Sequence, residues 1–153
     1  MEIIITVVSG VLVGVIVFIV GQILTSIWLN PLQQFKELKK DVVYKLRYYA
    51  NLYTNVIDLA KYNKNDKIVE EFKSGSDELR KLSCSLKGFA ETLSWFRIGI
   101  PSKKKINDAA ELIMALSNSF FAPYNTGAGY KQGKENHDMV NEIFAMLKCY
   151  NKK

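Results

Sequence analysis

From Ile3 to Phe35 the chain carries not one charged side chain, and after Phe35 charges recur every few residues. Such a step marks a change of solvent, from lipid to water. The 27 residues Ile3–Leu29 (IIITVVSGVLVGVIVFIVGQILTSIWL) would make a helix of about 40 Å against about 30 Å of hydrocarbon, so the segment can span with tilt to spare. Its eighteen Leu, Ile, Val and Phe residues, each favourable by about 0.3–0.6 kcal/mol at the bilayer centre, outweigh Gln22 and the scattered Ser and Thr. Trp28 stands where an interfacial anchor belongs. A cleaved signal peptide is disfavoured by the absent basic n-region, the length of the run and the lack of a small-residue cleavage site.

Orientation follows from the flanks. Before the run stand only Met1 and Glu2; after it come Lys36, Lys39, Lys40, Lys45 and Arg47 against Glu37 and Asp41. Lys and Arg close to a span stay on the cytoplasmic side. The expected organisation is a single-pass protein of a bacterial inner membrane, with a transmembrane helix over 3–29 and a cytoplasmic domain over 31–153. Two cysteines, Cys84 and Cys149, without metal-ligand spacing, and no Asn-x-Ser/Thr acceptor suit a reducing compartment. The net charge of +6 fits a domain held against anionic headgroups, or nucleic acid as the second choice.

Within the run, Thr6, Gly10, Gly14, Gly21 and Thr25 are spaced 4, 4, 7 and 4, which stacks them on one helix side and includes the GxxxG Gly10-Val-Leu-Val-Gly14. Small residues let helices approach closely in lipid, where close packing drives association. A homo-oligomer through this face is the expectation.

The remainder reads as helices only. Asn30-Pro31 predicts a cap and first turn, so a new helix starts at the membrane surface. Leu32, Phe35, Leu38, Val42, Leu46, Tyr49, Tyr53, Val56 and Leu59 carry its 3–4 rhythm. Ile68, Phe72, Gly75, Leu79, Leu82, Leu86, Phe89 and Leu93 predict one long helix through Ser74-Gly75-Ser76. After a turn over 94–101, Ser102 caps a helix that buries Ile106, Ala109, Ile113, Leu116 and Phe120. Pro123 to Gly133 (PYNTGAGYKQG) predicts a loop, and a last helix from about Glu135 buries Val140, Ile143 or Phe144, Leu147 and Tyr150. Four amphipathic helices with short connections predict an all-α fold: the transmembrane helix followed by an up-down four-helix bundle.

Chemistry is sparse. One histidine and two distant cysteines cannot build a zinc site, so no metal is expected. Neither a nucleophile–base pair nor a phosphate loop or dinucleotide fingerprint is legible, and no cofactor is expected. His137, the one side chain titrating near neutrality, reads first as a surface or capping residue. Its catalytic reading joins it to Asn136 and Lys131: Lys131-x5-His137 is the nearest equivalent of the Arg-x(4–6)-His motif of helical HEPN-class RNases, with a lysine in place of the planar arginine fork. Arg97, Lys103, Lys104 and Lys105 gather at a helix start, where they would bind lipid headgroups or, as the second choice, a phosphate or nucleotide second messenger. Trp95, Phe96 and Ile98 beside them are expected to meet the bilayer. Tyr44, Tyr48, Tyr49 and Tyr53 read as packing residues with hydroxyls reaching polar partners.

Taken together, Trp28-Leu-Asn-Pro31-Leu-Gln-Gln-Phe35-Lys36, Leu46-Arg-Tyr-Tyr49-Ala-Asn51-Leu-Tyr53, Leu79-Arg-Lys-Leu82, Ile100-Pro101-Ser102-Lys103 and Ala115-Leu-Ser-Asn118 resemble a group of small single-pass bacterial membrane proteins of phage-defence neighbourhoods. The architecture is similar to the HEPN-like membrane accessory protein of type VI-B CRISPR systems, and to the membrane effectors of type III systems that sense cyclic oligoadenylates. The resemblance implies a HEPN-like bundle and a non-enzymatic antiviral effector or accessory protein that assembles in the membrane, as a pore in the type VI-B case. It further implies a defence-system protein, RNA or a nucleotide second messenger as partner. The alternatives are a membrane-tethered RNase or RNA-binding module using His137, Asn136 and Lys131, and a passive scaffold for a partner at the inner membrane.

Overall fold

The computed structural model describes residues 2–57, 62, 66–93, 98–121 and 129–149, the side chains of 2–6, 129 and 130 excepted. Among these residues the chain is all-helical. A single isolated bridge, Ile57 to Phe121, is the one extended pairing. Helix α1 (Glu2–Leu24) is followed by a π-helical turn (Thr25–Leu29), α2 (Asn30–Tyr48), a short α3 (Ala50–Thr54), α4 (Lys67–Thr92), α5 (Lys103–Asn118) and α6 (Gly129–Met146).

The start of α2 departs from expectation. Asn30-Pro31 does not open a new helix: Leu29 and Asn30 both keep helical backbone angles, and the Asn30 N–H donates to the carbonyl of Thr25, five residues back. In a plain α-helix Pro31 would lack its own N–H and press its ring on the carbonyl four residues earlier. The wider π turn just before it inserts one residue and relieves that crowding. α1 and α2 therefore form one rod over residues 2–48, about 70 Å long at 1.5 Å per residue.

α2 ends where Tyr49 leaves the helical region (φ −89°, ψ 14°). The expected thirty-residue helix is thus split, with α3 as its short continuation; Leu59 lies outside the described residues. α4 runs unbroken through Gly75, as its apolar rhythm predicts. Its first core residue is Val69, while Ile68 is 38% exposed; from Phe72 through Phe89 the expected residues are the buried ones. Ser102 caps α5 as expected, its Oγ accepting from the Lys105 N–H at 3.3 Å.

α6 begins at Gly129, six residues before the expected start, and takes in the end of the glycine-rich stretch. Gly133 explains why. A Cβ there would sit 2.3 Å from the Thr54 carbonyl oxygen, so the glycine serves close helix packing against α3, not a loop. Of the expected apolar residues of α6, Val140, Ile143, Phe144 and Leu147 are all buried; Tyr150 lies outside the described residues.

α4 packs most extensively on α5, α5 on α6, α6 on α3, and α2 on α4. Leu46, Leu79, Leu86, Ile106, Ile113, Leu116 and Phe120 are fully buried in the shared core. Small residues bring α4 and α5 together, and their polar atoms are satisfied: Ser76 and Ser83 are buried and donate to the carbonyls of Ser117 (2.8 Å) and Ala110 (2.6 Å). A buried hydroxyl without such a partner would cost roughly 1–3 kcal/mol.

Candidate functional site

Helix α1 stands clear of this core. Every side chain from Val7 to Leu24 is exposed, and it is the one helix among the described residues long and apolar enough to cross a membrane. A helix apolar on all sides needs lipid or other helices around it. Positions where a Cβ on Gly10, Gly14 or Gly21 would point are open, with nothing within 4 Å. Thr25 folds its hydroxyl back onto the Gly21 carbonyl at 2.9 Å, which keeps that side of the helix low. Thr6 belongs to α1, but its side chain lies outside the described part.

The foot of α1 meets the turn between α4 and α5. The Trp28 indole N–H donates to the Ile98 carbonyl at 3.2 Å, and Gly99, at φ +86°, turns the chain next to the Leu32 side chain. Lys103, Lys104 and Lys105, at the start of α5, therefore sit at the α1 end of the body. Lys103 is paired with Glu91 at 2.6 Å, while Lys104 and Lys105 are exposed. Ile98 is 56% exposed beside them. Trp95, Phe96 and Arg97 lie outside the described residues.

The residues of the RNase reading part company. Asn136 is fully buried; its Nδ2 donates to the Tyr53 carbonyl (2.8 Å), and its Oδ1 accepts from Ser119 Oγ (2.7 Å) and Gln132 Nε2 (3.1 Å). It ties α6 to α3 and to the end of α5. His137, the next residue, is exposed, and so is Lys131, whose Nζ is 3.8 Å from Glu135. Neighbours on a helix diverge by about 100°, so Asn136 and His137 do not share a site. No group of three or more His, Cys, Asp or Glu able to hold a metal occurs among the described residues.

One face went unrecognised in the sequence. Tyr44 and Tyr48 are 62% and 67% exposed, not packed. Their rings lie 5.8 Å apart at 21°, and Tyr48 meets the edge of Tyr49 at 5.0 Å. They line an open groove on α2 together with Lys36, Lys40 and Arg47. The signal was present as the four-residue spacing Lys36, Lys40, Tyr44, Tyr48, but it was hidden by the neighbouring core stripe Phe35, Val42, Leu46.

The electrostatics of α2 are otherwise settled by α4. Lys45 and Lys81 both bond Glu78 at 2.8 Å and hold its carboxyl down to about 2, from 4.5. Burial, then the Glu78 charge, push the Tyr49 phenol up.

No protein-family model, no curated protein and no solved structure gives a significant match to this chain.

Proposed function

We propose that this is a single-pass inner-membrane protein whose α1 self-associates and whose remaining helices form an up-down four-helix bundle in the cytoplasm, HEPN-like in arrangement. On this reading it acts, without enzymatic chemistry, as an antiviral defence effector or accessory protein that perturbs the membrane when copies assemble into a pore. The observation that carries the reading is the open glycine side of an α1 exposed all round, continued as one rod into a helix that packs on the core. Small open positions favour helix association in lipid, and the unbroken rod gives the domain mechanical purchase on it. The lysines at the α1 end of the body suit an anionic membrane surface. The engagement of Asn136 in three structural hydrogen bonds speaks for a bundle strut and against an RNase site.

The test is Gly10→Leu with Gly14→Leu, measured as the mass of the detergent-solubilised particle, membrane potential and phage protection in cells. We expect the particle to fall towards a monomer and protection to be lost, with the protein still in the membrane pellet. Unchanged mass and protection would overturn the reading, as would a C-terminal tag reachable from outside intact cells.

A further inference from the structure

We propose that the outer face of α2 binds single-stranded nucleic acid, with Lys36, Lys40 and Arg47 holding phosphates and Tyr44 and Tyr48 stacking bases. The tyrosines are the first reason. Two large rings left 62% and 67% exposed contribute nothing to the core, yet they are held in order, stacked on each other and braced by Tyr49. Aromatic platforms beside a cationic track are how proteins hold single strands without reading sequence.

The cations are the second reason. Lys36, Lys40 and Arg47 are exposed, and none has an ion-pair partner among the described residues, where Lys45, Arg80, Lys81, Lys87, Lys103 and Lys131 all do. From Lys36 to Tyr48 the face runs about 18 Å along the helix, long enough for several nucleotides.

Three other occupants fit less well. Lipid headgroups reach Lys36, but with α1 spanning the bilayer Tyr44 and Arg47 stand about 22 and 27 Å beyond Leu29 along the rod. Even at a tilt of about 40° they remain about 17 and 21 Å out, beyond the Debye length of about 8 Å. A second copy would place like charges opposite one another. An acidic peptide would use the cations and leave both rings idle. The inference goes beyond self-association and does not need it; only the argument against lipid rests on the membrane span.

The experiment uses the full chain in nanodiscs of neutral phosphatidylcholine, a fluorescent single-stranded RNA 20-mer and anisotropy at several salt concentrations. Three phosphate contacts predict a log–log salt slope of about −2. Tyr44→Ala with Tyr48→Ala should weaken binding about tenfold or more and leave the slope unchanged. Lys40→Glu with Arg47→Glu should weaken binding and flatten the slope. All four side chains are exposed, and an unchanged thermal midpoint shows that the variants fold. The proposal is overturned if no RNA binds at about 100 µM, or if the tyrosine variant binds like wild type. Equal affinity for duplex RNA also overturns it. So does a result in which the variants instead reduce attachment to phosphatidylglycerol vesicles, capture of an acidic peptide or the mass of the particle, since lipid, a protein segment or a second copy would then own the face. Failure here with self-association intact leaves the proposed function standing.

Discussion

Substituting Gly133 by alanine tests the closest approach in the fold. The added Cβ would lie 2.3 Å from the Thr54 carbonyl oxygen and 3.2 Å from its carbon. Backbone cannot swing aside as a side-chain tip can, so α6 has to withdraw from α3 by about 1 Å to restore ordinary contact. One turn further on, the Asn136 to Tyr53 hydrogen bond is 2.8 Å long, and the same withdrawal takes it past bonding distance. Overpacking costs about 1–3 kcal/mol, and the orphaned buried amide about 1–3 kcal/mol. Against this stands the gain of about 0.5–1 kcal/mol for alanine over glycine in a helix. The net loss is about 2–4 kcal/mol, or about 8–16 °C in Tm for a body of this size. Near-ultraviolet circular dichroism of the full chain in detergent reads this melting, because the tyrosines report on the body and α1 has none. Gly88→Ala is the control: its Cβ meets nothing within 4 Å, so Tm should rise by about 2–4 °C. If Gly133→Ala melts within about 2 °C of wild type, the close approach of α6 to α3 is wrong.

Asn136→Ala removes one buried and two part-buried hydrogen bonds and should cost about 2–3 kcal/mol, whereas His137→Ala, one residue away on the exposed side, should leave Tm within about 2 °C; equal effects would refute the strut. Glu78→Gln tests the Lys45–Glu78–Lys81 cluster. Because the carboxyl titrates near 2 in the fold and at 4.5 free of its partners, its contribution is complete above about pH 4.5 and lost as pH falls towards 2. With a side chain 31% exposed, that contribution is about 1 kcal/mol or less. The Tm gap between wild type and Glu78→Gln should therefore be present at neutral pH and close over that window; a constant gap would mean that the ion pairs contribute nothing.

Much of the helical content was legible because local rules agreed with one another. Ser102 offered a cap directly before Ile106, Ala109, Ile113 and Leu116, and every one of those apolar residues is buried. The long α4 was legible through Gly75 because the stripe kept its phase. What failed depended on partners distant in sequence. Gly129 and Gly133 look like loop residues until Thr54 is known to pass close by. Tyr44 and Tyr48 share a period with core residues, and only the packing of α4 on Phe35, Val42 and Leu46 decides which stripe is buried. Asn136 looked like a companion to His137 because adjacency in sequence hides the turn of a helix. The glycine spacing of α1 is a sequence pattern only, since α1 is exposed all round and no tertiary contact singles out one of its sides.

The junction at Pro31 has the largest consequence, and local pattern was least able to show it. At about 100° per residue, Gly10, Gly14, Gly21 and Thr25 share one side of α1. In an uninterrupted α-helix Lys36, Lys40, Tyr44 and Arg47 would lie roughly a quarter-turn away from that side. The π turn at Thr25–Leu29 inserts one residue and sets them back by about 100°, which brings these four residues into line with the glycine side, with Tyr48 at the edge of the face about 70° round, away from the core residues Phe35, Val42 and Leu46. Under the proposed self-association through the glycines, like charges of α2 would gather about a common axis and repel. A polyanion lying along α2 would remove that repulsion. Proline at position 31 sits directly after the π turn that sets the register of the two faces; under the proposed self-association, occupancy of one face would bear on assembly through the other.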